Sequence, residues 1–130
     1  MKRTSKVTFA ILALSILSLC FAANTFAQTG PVAGVYENFT VGKESGDLVG
    51  MRVVIIPAHN TFYAMVQIAQ GGAEDPKPVF VDAIVKRNTV EFTVGDQKYT
   101  GTVSIAGFRV KDPDGQTHVL KRRPCATLFR

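Results

Sequence analysis

Residues 89–111, TVEFTVGDQKYTGTVSIAGFRVK, alternate apolar and polar side chains through successive short runs. Val90, Phe92 and Val94 alternate with Thr89, Glu91 and Thr93; Tyr99, Gly101, Val103 and Ile105 alternate with Lys98, Thr100, Thr102 and Ser104. Phe108 and Val110 then alternate with Arg109 and Lys111. A period of two is the pattern of a strand with one face buried and one in water. Gly95-Asp96 and Ala106-Gly107 interrupt the runs as hairpin breaks do. The expected core of this stretch is Val90, Phe92, Val94, Tyr99, Val103 and Ile105.

The same reading extends in both directions. Asp112-Pro113-Asp114-Gly115 is a turn, because Pro presets φ at one corner and Gly tolerates positive φ at another. A last strand then runs from Gln116 to Arg122. Upstream, Val79 to Lys86 is a strand closed by an Arg87-Asn88 hairpin, and Phe62 to Ala69 is another, with Phe62, Ala64, Val66 and Ile68 on one face. Leu48 to Ile56 is a strand that Pro57 ends, and Val35 to Val41 opens the series. Gln70 to Pro78 is the longest loop. The expectation is an all-β fold of about eight antiparallel strands, with no helical stretch. Short connections favour an up-and-down meander that closes, or partly closes, into a small barrel and so removes its edges. A two-sheet β-sandwich is the alternative.

Gly34-Val35-Tyr36, at the start of the first strand, resembles the Gly-x-Trp opening of lipocalins and other calycin barrels, with Tyr in place of Trp. The chain departs from that family in its shorter length and in lacking the later Thr-Asp-Tyr signature. The resemblance implies a ligand-binding barrel. The candidate ligand-binding residues are the expected inward aromatics Tyr36, Phe62, Phe92, Tyr99 and Phe108.

The N-terminus carries Lys2, Arg3 and Lys6 without an acid, then an apolar run from Val7 to Ala23. These parts form a secretory signal peptide over residues 1–27, cleaved after Ala27, and imply an exported, periplasmic or extracellular protein. Lipid anchoring at Cys20 is disfavoured, because Leu19 stands where a lipoprotein signal has a small residue. A single domain, residues 28–130, would then remain, with no integral membrane segment. Processing lowers the basic count from 15 to 12 and leaves 10 acids. Lys121, Arg122, Arg123 and Arg130 cluster in a basic tail, residues 121–130. The rest of the domain is slightly acidic, which argues against a nucleic-acid partner. Only Cys125 survives processing, so no intramolecular disulfide is expected.

No catalytic constellation assembles from these residues. His59 and His118 are the only imidazoles; His59 falls in a turn, and an outward, solvated side chain is expected at both. Ser45 and Ser104 lack a Gly-x-Ser-x-Gly context. Glu74-Asp75 and Asp112-Asp114 read as turn-forming carboxylates, and no metal site or cofactor is expected. The cations before Cys125 favour its thiolate, but an incidental thiol explains it more simply. The expected function is therefore a noncatalytic module that binds a small apolar ligand inside or at the mouth of the barrel. The alternative is a protein-protein interaction or inhibitor module of the cell envelope, using the loop near Ala73 to Lys77 and the basic tail.

Overall fold

The computed structural model describes residues 32–72 and 74–124. The expected signal peptide, Cys20, Cys125 and the end of the basic tail lie outside the described residues. Among the described residues there is no helix, and nine strands form one sheet: β1 (Gly34–Glu37), β2 (Thr40–Val41), β3 (Leu48–Ala58), β4 (Thr61–Gln70), β5 (Val79–Lys86), β6 (Thr89–Val94), β7 (Gln97–Ser104), β8 (Gly107–Lys111) and β9 (Thr117–Arg123). From β3 to β9 each strand pairs antiparallel with its successor. β1 then bridges β9 and β3, so eight strands make a closed barrel, and the short β2 extends the sheet beside β3. The expected meander is the observed architecture, and the sandwich is not.

Alternation fills the barrel. Val53, Ile55, Ala64, Val66, Val90, Val103, Phe108, Val110 and Leu120 are buried in one cluster. Gly101 makes this density attainable: a Cβ there would collide with the Phe108 ring and the backbone of β8. Tyr36 meets Phe108 edge-on at 5.7 Å and 64°, while Phe92 stacks on Tyr99 at 5.3 Å and 10°. The middle is therefore solid side chain, as in other small barrels.

Several expectations need correction. Ile105 is 93% exposed, because the hairpin falls on Ile105-Ala106 and Ser104 pairs with Gly107. Chain reversal there takes Ile105 out of the alternation. Pro57 does not end its strand, since β3 runs on to Ala58 and Pro57 pairs with Phe62. Ala58 and Thr61 flank a two-residue hairpin and form the narrow hydrogen-bonded pair, so the Pro57 nitrogen faces away from β4. On that side β1 begins only at Gly34, opposite Ile55, and no ladder bond is forfeited.

The opening strand is also two strands. Asn38 Oδ1 accepts the Met51 amide at 2.8 Å, while the Asn38 amide donates to the Met51 carbonyl at 3.0 Å. The side chain thereby takes the place of a main-chain acceptor and breaks the ladder between β1 and β2. Gly50 stands opposite at φ +125°, where a Cβ would meet Asn38 and the Phe39 backbone.

The closing seam is stapled on its outer face. Glu37 accepts from Arg52 Nε at 2.7 Å and from Arg123 Nε at 3.0 Å, joining β3, β1 and β9. The last strand, expected to end at Arg122, runs one residue further, so Lys121–Arg123 of the basic segment lie in β9.

Candidate functional site

An up-and-down barrel has two ends, and the sequence makes them differ. At one end Tyr36 donates its hydroxyl to the Val32 carbonyl at 2.8 Å. Arg122 lies over the Tyr36 ring at 5.6 Å and donates from Nη2 to the Ala33 carbonyl at 2.7 Å. Burial pushes the Tyr36 phenol above its ordinary value, with Arg122 pulling weakly the other way. This end is closed by a buried aromatic, a cation on its face and the chain before β1.

The opposite end is open. There the starts of β3, β7 and β9, the end of β4 and the β8–β9 turn enclose a cavity of about 750 Å³. Its apolar wall includes Met51, Ile68 and Tyr99, and its polar wall includes Gln97, Asp112 and His118. Met51 and Tyr99 are buried and Ile68 packs against the core, so the cavity floor is the top of the barrel interior.

The β8–β9 turn sets the polar wall. Asp112 Oδ1 accepts the Gln116 amide at 2.8 Å, and the Asp112 carbonyl accepts the Gly115 amide at 3.1 Å. This is the turn role expected of that carboxylate. Its other oxygen, Oδ2, accepts from His118 Nε2 at 2.9 Å. That hydrogen bond is the main reason the Asp112 carboxyl titrates below its ordinary value. His118 is not outward, as expected, but shares the inner face of β9 with buried Leu120, while Val119 between them is exposed. Tyr99 donates to Gln97 Oε1 at 3.0 Å. Burial, then the charges of Asp112 and Asp114, raise the Tyr99 phenol above 10.0.

The expected ligand-binding aromatics separate in space. Tyr99 alone of the five lines the mouth. Tyr36 and Phe108 are wholly buried in the core, and Phe62 is half-buried against it. Phe92 lines a second, lateral groove of about 680 Å³ with Tyr63, Phe80 and Ile84. That groove lies where the β5–β6 ladder stops at Ala83 opposite Phe92, leaving the start of β5 paired with β4 alone. Met51, Ile68 and Asp112 were missed as mouth residues. Strand parity marks Met51 and Ile68 as inward, but only the barrel's closure tells which inward positions lie at an open end.

His59 sits in the β3–β4 turn at φ 29°, exposed, away from the mouth. No group of three or more His, Cys, Asp or Glu among the described residues is placed to hold a metal. No helix among them is long and apolar enough to cross a membrane. The loop after β4 is partly tied down: Gln67 Nε2 donates to the Pro76 carbonyl at 2.8 Å, and Leu48 exchanges main-chain bonds with Gly71 and Gly72. No protein-family model, curated protein or solved structure matches this chain.

Proposed function

We propose that this protein is an exported, noncatalytic binding module that takes a small, largely apolar ligand at the open end of a lipocalin-like barrel. One observation carries the reading: a cavity of about 750 Å³ stands on a barrel whose centre is already packed. Apolar surface at its floor supplies the driving force, worth about 25 cal/mol per Å² removed from water. A few polar groups on one wall supply orientation, as small-molecule sites generally do. The Gly34-Val35-Tyr36 opening supports the family likeness at the closed end. An assembled nucleophile-base pair is not among the features of the mouth, and Asp112 is engaged in holding its turn.

The neutral dye N-phenyl-1-naphthylamine tests the reading. Saturable, one-to-one fluorescence enhancement is expected, weakened at least tenfold in Ile68→Lys, whose charge would sit in the mouth. Unsaturable enhancement, or binding equal in wild type and Ile68→Lys, would remove the proposal. Export is tested by the intact mass of protein recovered from outside the cytoplasm, which should begin at Gln28.

A second reading, a protein-interaction module, is favoured by the outer face of β4 and β5. Tyr63, Phe80 and Ile84 are exposed there beside the start of β5, whose far edge pairs with no described strand. An added strand from a partner would satisfy such an edge.

A further inference from the structure

The charges of this domain are sorted by barrel end. The loops at the open end are those between β2 and β3, β4 and β5, β6 and β7, and β8 and β9. They carry Glu44 and Asp47, Glu74 and Asp75, Asp96, and Asp112 with Asp114: seven of the ten acidic residues of the whole chain. The cations in the same loops are Lys43 and Lys77, and Lys98 and Lys111 stand at the adjoining ends of β7 and β8. The hairpins at the closed end hold Arg87 and His59 and no acid, and Arg122 and Arg123 end β9 on that side. Charges of one sign ringing a cleft with low-dielectric walls focus the field into it and concentrate ligands of the opposite sign.

Within the cavity itself Asp112 and Asp114 are the lining carboxylates, and no lysine or arginine lines it. His118 is the partner of Asp112. Asp114 forms no ion pair with a described residue. On the adjoining strands, Lys98 of β7 is engaged outside the mouth by Glu91 at 2.9 Å, and Lys111 ends β8 just before Asp112. The mouth therefore combines an apolar floor at Met51 and Ile68 with a carboxylate rim on the β8–β9 side.

We propose that the ligand of this mouth is a cationic amphiphile: an apolar body that rests on Met51, Ile68 and Tyr99, with an amine or quaternary ammonium group at Asp112 and Asp114. The assignment rests on the mouth being the binding site and adds the chemical class of what enters it. Anionic amphiphiles, fatty acids included, are disfavoured by the same rim.

Decyltrimethylammonium, decanol and decyl sulfate share an alkyl chain and differ in head charge, so calorimetric titration of each below its micelle concentration separates the contributions. The cation should bind about tenfold tighter than the sulfate at low salt, as expected for close carboxylates in a partly desolvated site. That preference should shrink in about 0.5 M NaCl, where screening is short-ranged. It should fall to about twofold in Asp112→Asn/Asp114→Asn, while Asp82→Asn, on the outer face, keeps it. Asp114→Asn alone gives an intermediate value should the double variant fail to fold. Equal binding of all three would overturn the charge assignment and leave the apolar mouth standing. Tighter binding of decyl sulfate would overturn it outright. Binding of none would remove the mouth as a site, and this proposal with it.

Discussion

His118 Nε2 lies 2.9 Å from Asp112 Oδ2, joining the second position of β9 to the residue that begins the β8–β9 turn. The contact orders the polar wall of the mouth and fixes a carboxylate beside an apolar floor.

Replacing His118 with Ala should therefore raise the Asp112 midpoint towards its ordinary value of 3.8, since the hydrogen bond from His118 is the largest cause of its depression. Side-chain carbon NMR across an acid titration reads this directly. Because the folded carboxyl titrates low, its contribution to stability is complete above pH 3.8 and is lost as pH falls through the folded midpoint. The His118→Ala variant should weaken that acid dependence, the backbone hydrogen bonds to Asp112 keeping part of it, and an unchanged Asp112 midpoint would contradict the assignment.

Tyr99 reports the negative potential from inside. Its phenol is raised first by burial and then by Asp112 and Asp114. Stability linked to Tyr99 is thus complete below pH 10.0 and is lost as pH rises through the higher folded value. In Asp112→Asn/Asp114→Asn, ultraviolet titration should find the Tyr99 midpoint lower than in wild type while still above the ordinary value.

Phe92 and Ile105 should part company in stability. Phe92 is 3% exposed and stacked on Tyr99, so Phe92→Ala should cost about 3–5 kcal/mol in urea unfolding. Ile105 at a hairpin tip contacts mainly water, so Ile105→Ser should change stability by less than about 0.5 kcal/mol. Equal losses would show that the alternation, not the turn, governs residue 105.

Arg87 occupies positive φ, at 58°, in the β5–β6 hairpin. A Cβ there is disfavoured by about 1 kcal/mol, so Arg87→Gly should raise the melting temperature despite removing a side chain. A lower melting temperature would mean that the guanidinium contributes more than the backbone costs.

The strands were legible because one buried face imposes a period of two, and residues 89–111 keep it almost unbroken. What alternation does not encode is where a strand stops. Ile105 continues the apolar phase past its last ladder position, and Pro57 looks like a terminus although its nitrogen faces an unoccupied side. The interruption at Asn38 depends on a side chain substituting for a carbonyl, which no local pattern announces. Inward aromatics were readable as a set. Their division into core (Tyr36, Phe108), mouth (Tyr99) and lateral groove (Phe92) follows from closure of β1 onto β3 and β9, a contact between distant parts of the chain. The charge asymmetry is present in the sequence too, but only the meander brings alternate loops to one end and makes it a field.

Entry of ligands at the open end is open to direct observation. The most direct measurement is a two-dimensional amide and methyl NMR titration of the purified domain with decyltrimethylammonium below its micelle concentration. Saturable shifts are expected at Met51, Ile68, Tyr99, Gln97 and His118, with Tyr36, Val53 and Leu120 unmoved. Shifts confined to Tyr63, Phe80 and Ile84 on the outer face, or shifts that never saturate anywhere, would contradict it.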